Sequence, residues 1–289
     1  MSTSKGSKVW FITGSNSGFG RSLTEAVLAK EDRVVATTRH TEEVEDLVKQ
    51  YPDTVKVVSL DITKAEEISS AIDTALSTFG RVDVLVNNAG FGTLGAVEEI
   101  AEEQVRYQFE VNCFGTLNLT KAMLPHFRQR KSGHILNVSS VGGFTAFPGT
   151  GIYCATKFAI EGYSEALAKE IAPLGIKLTL VEPGAFRTEF AGDSLATPDQ
   201  QIDDYEETAH KFVKMQEQSS GEQPGDPDKA AQAMIKVVES DNPPMRLVLG
   251  EDALKATRQK METFQKELDE WEEVTLSTSF DDAKASSVG

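Results

Sequence analysis

Short apolar runs alternate with longer amphipathic segments along most of this chain. Seven of the runs are rich in Val, Ile and Leu and mostly apolar on both faces, which is typical of strands buried inside a parallel sheet. The predicted strands are Val9–Thr13, Arg33–Thr38, Val55–Leu60, Val82–Asn87, His134–Ser139, Ile176–Glu182 and the weaker Arg246–Leu249.

The segments between these runs carry apolar residues at helical spacing. The clearest predicted helices are Phe19–Lys30, Glu42–Gln50, Lys64–Phe79, Glu99–Arg130 and Tyr153–Ala172. Because strand and helix alternate through most of the chain, we predict an α/β fold. It is a single doubly wound, Rossmann-type domain over residues 1–289 with a mostly parallel seven-stranded sheet.

Two regions interrupt this alternation. Residues 186–228 follow the sixth predicted strand without strong apolar periodicity. Ligands of open α/β sheets bind beyond the carboxyl ends of the strands, so we predict that this insertion is a substrate lid or loop. Near the end of the chain, an acidic helix is predicted over Asp252–Glu273, and a flexible tail over residues 275–289.

Charge and cysteine content narrow the possible functions. The chain has 289 residues and a formal net charge of −16, which disfavours nucleic acid and membrane surfaces as partners. Its two cysteines, Cys113 and Cys154, lack metal-ligand spacing, so no metal site is expected. The sequence has no apolar stretch near the ~20 residues that span a bilayer, and Met1–Lys8 does not resemble a signal peptide. We therefore expect a cytoplasmic protein.

A glycine-rich turn follows the first predicted strand. Glycines there let the backbone approach a pyrophosphate, and the helix that starts near Gly18 offers N–H groups and a partial positive charge. The spacing is GxxxGxG rather than GxGxxG, and a tight turn without a ligand is the competing interpretation. The predicted cofactor contacts in this turn are Gly14, Ser15, Asn16, Ser17, Gly18, Phe19 and Gly20.

The end of the second strand indicates which cofactor binds. An acidic residue here would hold the ribose 2′-hydroxyl of NAD, but the chain has Thr38 and then Arg39. Because Arg39 can pair bidentately with a ribose 2′-phosphate, we predict NADP(H). A solvated arginine at the start of a loop is the alternative.

Two further strand ends complete the predicted cofactor site. Asp61, followed by Ile62, could accept a hydrogen bond from an adenine amino group or could cap the helix that begins near Lys64. Small residues after the fourth strand would let a cofactor lie across the strand ends, although a plain turn explains them too. These residues are Asn88, Ala89 and Gly90.

Tyr153 and Lys157 open a strong amphipathic helix at positions i and i+4, which lie on one helix face. A phenol has an ordinary pKa of about 10, too high for easy proton exchange at neutral pH. A nearby ammonium group stabilises phenolate and lowers that pKa. Tyr153 could then serve as general acid in reduction and general base in oxidation, although this spacing also arises by chance.

Two polar positions strengthen that interpretation. Ser140, just past the fifth strand, could hydrogen-bond and polarise a substrate oxygen, and Ser139 is a competing candidate. Asn112 precedes a glycine within a predicted helix, which is locally unfavourable. It could kink the helix and hold a water behind Lys157 for proton relay, or it could mark a simple helix irregularity.

Taken together, these motifs resemble the short-chain dehydrogenase/reductase family. In order they are TGSNSGFG (13–20), Asp61, NNAG (87–90), Asn112, Ser140, YCATK (153–157) and EPGAFRT (182–188). The resemblance implies a tetrad in which Tyr153 exchanges the proton, Lys157 also binds the nicotinamide ribose, Ser140 steadies the carbonyl and Asn112 anchors a water. The family's spacing favours Ser140 over Ser139. The residues that match the part holding the nicotinamide carboxamide are Pro183, Gly184 and Thr188.

Within the family, the run from Ser140 to Leu167 resembles the 17β-hydroxysteroid and retinol dehydrogenase branch. Members are often dimers or tetramers joined through the long helices, which here are Glu99–Arg130 and Tyr153–Ala172. A homo-dimer or homo-tetramer is therefore expected.

The expected substrate is a small ketone or aldehyde with a hydrophobic body, or the matching secondary alcohol. Aromatic residues near the predicted reacting centre suggest an apolar pocket, although each could equally belong to the core. The candidate substrate residues are Phe91, Phe144, Phe147, Gly149 and Phe190. Two other functions compete: an NAD-dependent secondary alcohol dehydrogenase, which Arg39 disfavours, and a cofactor-binding sensor without turnover, which the complete tetrad disfavours.

Overall fold

The computed structural model describes residues 6–188, 195–198 and 200–280. Within them, seven strands form one sheet, namely β1 (Val9–Thr13), β2 (Arg33–Thr38), β3 (Val55–Ser59), β4 (Val84–Asn87), β5 (Gly133–Val138), β6 (Ile176–Pro183) and β7 (Arg246–Leu249). Their order in the sheet is β3-β2-β1-β4-β5-β6-β7, and every neighbouring pair is parallel. The predicted doubly wound fold is confirmed. Its strand order reverses between β1 and β4, where such sheets open a crevice for ligands.

Helices cover both faces of this sheet. The α-helices of the described residues are α1 (Gly18–Ala29), α2 (Glu45–Gln50), α3 (Ala65–Phe79), α4 (Glu102–Phe109), α5 (Thr116–Arg130), α6 (Gly151–Ile171), α7 (Lys211–Gln218), α8 (Pro227–Glu239) and α9 (Glu251–Leu276). Successive residues of β1 show how the two layers form. Trp10 and Ile12 pack with α1 and α8 residues on one face, whereas Phe11 packs with α3, α5 and α6 residues on the other.

The long helix predicted over Glu99–Arg130 is divided in the structure. The turn Val97–Glu99 precedes α4, and a π-helical segment over Glu110–Gly115 separates α4 from α5. π-helical turns are rare and often lie at functional sites. Asn112, the residue singled out as locally unfavourable for a helix, lies inside this segment and is buried.

The insertion over residues 186–228 contains more regular structure than its composition predicts. A π-helical turn, Glu206–His210, leads into α7. The helix α8, which crosses from β6 towards β7 and was not predicted, starts at Pro227 directly after its cap Asp226. The Asp226 side chain accepts hydrogen bonds from the backbone N–H groups of Asp228 and Lys229. An aspartate cap followed by proline is an ordinary helix start and is visible in the sequence.

The insertion also pairs with the segment that follows β4. Gly92–Thr93 forms a two-residue parallel ladder with Leu195–Ala196.

No helix in the described part of the chain is both long and apolar enough to cross a membrane.

Candidate active site

A cavity of about 820 Å³ lies at the carboxyl ends of the strands, over the crevice between β1 and β4. It brings together most of the residues predicted to bind a cofactor or substrate or to react. Those that line it are Gly14, Asn16, Ser17, Gly18, Phe19, Arg39, Asp61, Ile62, Asn88, Ala89, Gly90, Phe91, Ser140, Phe147, Tyr153, Lys157, Pro183, Gly184 and Thr188.

Five candidates do not line the cavity, namely Ser15, Gly20, Asn112, Phe144 and Gly149. Phe190 lies outside the described residues. The Phe144 ring packs instead beneath the Arg246 guanidinium, and the distance from Arg246 Cζ to the ring centroid is 5.8 Å. Gly149 faces the insertion: a Cβ added to it would lie 2.8 Å from the carbonyl oxygen of Ala209, which belongs to the insertion. Neither residue therefore forms part of the cavity wall.

The glycine-rich turn is shaped by contacts beneath it rather than by the residues that face the cavity. Ser15 is fully buried, and its hydroxyl donates to the Ile12 carbonyl at 3.0 Å. The Asn88 side chain donates to the carbonyls of Thr13 at 2.8 Å and Gly14 at 3.1 Å, so it ties the end of β4 to the turn. Gly14 has a φ of +66°, a conformation that glycine adopts without strain.

Gly20 provides the closest approach in this turn. A Cβ at this position would lie 2.0 Å from the Gly14 carbonyl oxygen and 2.5 Å from Asn88 Nδ2. We expect Gly20→Ala to lower the free energy of unfolding by about 1–3 kcal/mol, because the backbone of the turn must move. Urea unfolding measures the change.

Gly162→Ala is the matched control. Gly162 is exposed in α6, and beyond the backbone of its own helix no described atom lies within 4 Å of an added Cβ. This substitution should leave stability unchanged or raise it by about 0.5–1 kcal/mol through helix propensity. Equal stability of the two variants would contradict the proposed packing of the turn.

Arg39 and Asp61 lie at the far end of the cavity from Tyr153. The Asp61 carboxylate accepts hydrogen bonds from the Thr63 backbone N–H at 3.0 Å and the Thr63 hydroxyl at 2.7 Å. Burial acts to raise the pKa of Asp61, but these bonds and the charges of Lys64 and Arg39 hold it below its usual value. Lys64 itself takes the N-cap position of α3, so Asp61 forms a local turn and does not cap that helix.

No described carboxylate lies within salt-bridge distance of Arg39, which is exposed. The first turn of α1 contains no acidic residue, and the Ser17 side chain does not cap it. A helix start of this kind favours a phosphate group. The cavity therefore offers two positions suited to anionic groups, one at the start of α1 and one at Arg39.

Ser140 and Tyr153 meet at the other end of the cavity. A Cβ on Gly142 would lie 3.3 Å from Ser140 Oγ and 3.4 Å from Tyr153 Cε1, so both side chains approach the same glycine. The Ser140 hydroxyl accepts a hydrogen bond from the Gly142 backbone N–H at 2.9 Å. Ser139 is instead buried beside Glu161, so the arrangement favours Ser140 as the group next to the phenol.

Lys157 is buried behind Tyr153. Its ammonium donates to the Val138 carbonyl at 2.9 Å and lies 5.6 Å from the centroid of the Tyr153 ring. Burial lowers the pKa of Lys157 to about 8, while the carboxylate of Glu161 acts to raise it. The ammonium is thus anchored to the end of β5 and retains its charge at neutral pH.

Burial also raises the pKa of Tyr153 above its ordinary value, and a hydrogen bond with Ser140 opposes the rise. From the sequence alone, Lys157 is expected to lower this pKa. Among the protein's own groups, however, the interaction that lowers it comes from Ser140, and burial outweighs it. The phenol is therefore held in its protonated form.

Asn112 reaches this end of the site indirectly. Its Oδ1 accepts from the Phe91 backbone N–H at 3.0 Å, and its Nδ2 donates to the Phe91 carbonyl at 2.8 Å and to Thr156 Oγ1 at 3.1 Å. A Cβ on Gly90 would lie 3.0 Å from Asn112 Oδ1 and 3.9 Å from Lys157 Nζ. Asn112 thus joins the π-helical turn to the loop after β4 and to α6, close to Lys157.

A buried acidic cluster under the catalytic end was missed by the sequence analysis. Arg246 pairs with Glu161 and, at 2.8 Å, with Glu182, and both carboxylates are almost fully buried. Burial raises the pKa of Glu161 to about 7. Glu161 follows Lys157 at helical spacing, which is the feature of the sequence that could have revealed it.

The insertion covers the substrate end of the cavity. Phe212 on α7 stacks on Phe147 with centroids 5.7 Å apart, and both rings line the cavity. The buried His210 lies 2.7 Å from the carboxylate of Glu99, which also accepts from the Ile202 backbone N–H. These contacts hold the described part of the insertion against the turn that precedes α4.

Comparisons with known proteins agree with this geometry. The profile of the family described as short chain dehydrogenase matches residues 8–199. Oxidoreductase BOA17 of Botryotinia fuckeliana is 38% identical over 273 residues, covering 94% of this chain and 99% of that protein. The chain belongs to the short-chain dehydrogenase family. The human 17-beta-hydroxysteroid dehydrogenase type 1 is also similar, with 32% identity over 88% of this chain and 81% of its own.

Solved structures of short-chain dehydrogenases show the same architecture. One from Streptomyces avermitilis is 44% identical, with a TM-score of 0.90 over 96% of this chain and 100% of that one. Another, from Burkholderia cenocepacia in complex with NADP, is 26% identical, with a TM-score of 0.72 over 91% and 97% of the two chains. A 3-ketoacyl-(acyl-carrier-protein) reductase from Brucella melitensis is complexed with NADH. It is 29% identical, with a TM-score of 0.70 over 83% of this chain and 96% of that one. These relatives support a nicotinamide cofactor in either form.

Proposed function

We propose that this short-chain dehydrogenase is an NADP(H)-dependent carbonyl reductase or alcohol dehydrogenase. Its substrate is a ketone or aldehyde with a hydrophobic body, or the matching alcohol. One observation carries the proposal: a single cavity joins Arg39 and the start of α1 at one end to Ser140 and Tyr153 at the other. NADP(H) carries a 2′-phosphate at its adenosine end, a pyrophosphate at its centre and the reactive ring at its other end, and this arrangement suits all three.

The cofactor, when bound, supplies or accepts the hydride at C4 of its nicotinamide ring. Tyr153 exchanges a proton with the substrate oxygen, and Ser140 hydrogen-bonds to the same oxygen. Lys157, anchored on the Val138 carbonyl, presents a positive charge behind the phenol. Because burial keeps Tyr153 protonated, the phenol is in the form from which a proton can be donated, as reduction requires.

The charge of Lys157 gives a testable pH dependence. Its pKa of about 8 means that the ammonium loses its proton as the pH rises through that value. We expect kcat/KM for carbonyl reduction to be constant below this pH and to fall above it. In Glu161→Gln, the fall should shift to lower pH, because the Glu161 carboxylate raises the pKa of Lys157. A profile that rises with pH, or a shift in the opposite direction, would contradict this assignment.

The cofactor preference rests on Arg39, but one observation favours a second candidate. Glu43 lines the same end of the cavity, and a carboxylate there could accept a hydrogen bond from a ribose hydroxyl of NAD. The comparison of kcat/KM for NADPH and NADH with one carbonyl substrate decides between them. A higher value for NADPH supports our proposal, and a higher value for NADH indicates an NAD-dependent secondary alcohol dehydrogenase.

The substrate class follows from the apolar side chains that line the cavity near Tyr153. Apolar side chains from four parts of the fold line this end of the cavity, which suits a hydrophobic molecule with one carbonyl group. They are Phe91, Leu94, Tyr107, Val111, Val141, Phe147 and Phe212. The similarity to a human dehydrogenase named for a hydroxysteroid, a hydrophobic alcohol, agrees with this class.

We also propose that the protein is a cytoplasmic homo-dimer or homo-tetramer. Tyr107, Phe114 and Phe158 expose 45–48% of their surface along α4, the π-helical turn and α6. Large exposed apolar side chains on neighbouring elements are typical of subunit interfaces. Light scattering of the purified protein tests the assembly.

A further inference from the structure

The helix α9 extends away from the domain without a covering element. Ala253 is the one buried residue among its 26, and every residue from Arg258 to Phe280 is exposed. Even so, it carries large apolar side chains, with Phe264 53% and Trp271 62% exposed. Helices of this length gain most of their stability from packing an apolar face, so these residues indicate a missing partner.

The apolar residues of α9 follow the pattern of a helix–helix seam. They recur in alternate steps of three and four residues, with threonine at one position. This spacing corresponds to the a and d positions of a heptad, which form a narrow stripe that packs against another helix. The stripe consists of Leu254, Thr257, Met261, Phe264, Leu268 and Trp271.

Charge along α9 favours one orientation of the partner helix. Positive side chains lie mainly in the first half, at Lys255, Arg258 and Lys260, whereas residues 267–273 are predominantly acidic. Two parallel copies would place like charges side by side. Two antiparallel copies would place residues 255–260 of each helix, which carry three positive and no negative side chains, beside the acidic residues 267–273 of the other, which is favourable.

We propose that α9 pairs antiparallel with α9 of a second copy of this chain. The seam then places Met261 of one copy against Phe264 of the other, and Leu254 against Trp271. Lys260 of each copy lies beside Glu267 of the other, so the two-fold symmetry gives two such pairs. Among the described residues, neither Lys260 nor Glu267 has an ion-pair partner, whereas Lys266 on the outer face pairs with Glu262 at 2.7 Å.

This contact is separate from the exposed aromatic face over α4–α6. It does not depend on the proposed enzymatic activity, because the stripe from Met261 to Trp271 lies outside the cavity. A second copy is favoured over an unrelated protein because both the apolar stripe and its flanking charges are complementary to themselves.

Disulfide cross-linking tests the orientation. Leu254→Cys and Trp271→Cys chains, each changed at an exposed position, carry different tags and are produced separately and together. The two native cysteines are buried. We expect a cross-linked dimer that contains one chain of each kind when they are produced together. Neither variant alone should cross-link. Cross-links within a single variant, or no cross-link between the two, would overturn the antiparallel pairing.

Exchanging the charges of Lys260 and Glu267 tests the ion pairs that flank the proposed seam, in the otherwise unchanged protein. Trp271 is exposed in the single chain and Trp10 is 1% exposed, so a shift of tryptophan emission on dilution reports the separation of α9. We expect Lys260→Glu to raise the dissociation constant about tenfold, because it places like charges together twice. The double exchange Lys260→Glu with Glu267→Lys should restore it.

Lys266→Glu makes the same charge change on the outer face and should have little effect. If Lys260→Glu and Lys266→Glu weaken association equally, or if the double exchange fails to restore it, the proposed seam is wrong.

Discussion

Replacing Tyr153 with Phe should lower kcat for carbonyl reduction by about 10²–10⁴-fold, the usual contribution of a positioned proton donor. The substitution removes one oxygen atom from a partly buried ring and leaves the cavity lining otherwise unchanged. Binding of NADPH, followed by its fluorescence, should therefore remain within a few-fold of the original. Steady-state kinetics with a saturating carbonyl substrate measure the loss.

Tyr163→Phe provides the matched control. Tyr163 lies on the same helix, α6, and its side chain contacts the core rather than the cavity. This change should leave kcat nearly unaffected. If both variants retained the original kcat, Tyr153 would not be the proton donor.

A cofactor-binding sensor would instead show NADPH binding without turnover in the unchanged protein.

Replacing Arg39 with Ala should raise KM for NADPH by about ten- to a hundredfold, which corresponds to the loss of one or two charged hydrogen bonds. KM for NADH should change little, because NADH has no 2′-phosphate for the guanidinium to contact. The ratio of kcat/KM for the two cofactors, measured before and after the substitution, isolates the contribution of Arg39.

Arg33→Ala removes the same charge from the other end of β2, where Arg33 lies over the ring of Phe79 at 5.8 Å. It should leave both KM values unchanged. Equal effects of Arg33→Ala and Arg39→Ala on NADPH would indicate general electrostatics rather than a 2′-phosphate contact. An equal loss for NADH and NADPH in Arg39→Ala would point to a structural role.

The strands could be predicted because the physical cause is local. Residues such as Phe11 and Ile12 must be apolar because each faces a different helical layer, and this requirement appears directly as an apolar run. Most of the glycines and polar residues predicted at the strand ends line one cavity, because parallel strands bring their carboxyl ends to one edge of the sheet.

Other features depend on contacts between distant parts of the chain. Phe144 resembles a pocket residue in sequence but packs on Arg246, which lies in β7. Phe212 and Glu161 acquire their positions only when α7 covers the cavity and Arg246 reaches α6. The pKa of Tyr153 likewise depends on its burial, which spacing along a helix does not determine.

The consumption of NADPH with a panel of hydrophobic ketones and aldehydes tests the central claim most directly. The absorbance of NADPH and the alcohol product are measured together in the unchanged protein. We predict that at least one compound is reduced with one NADPH oxidised per alcohol formed, and that Tyr153→Phe abolishes both. Binding of NADPH without oxidation across the whole panel, or reduction that persists in Tyr153→Phe, would contradict the account.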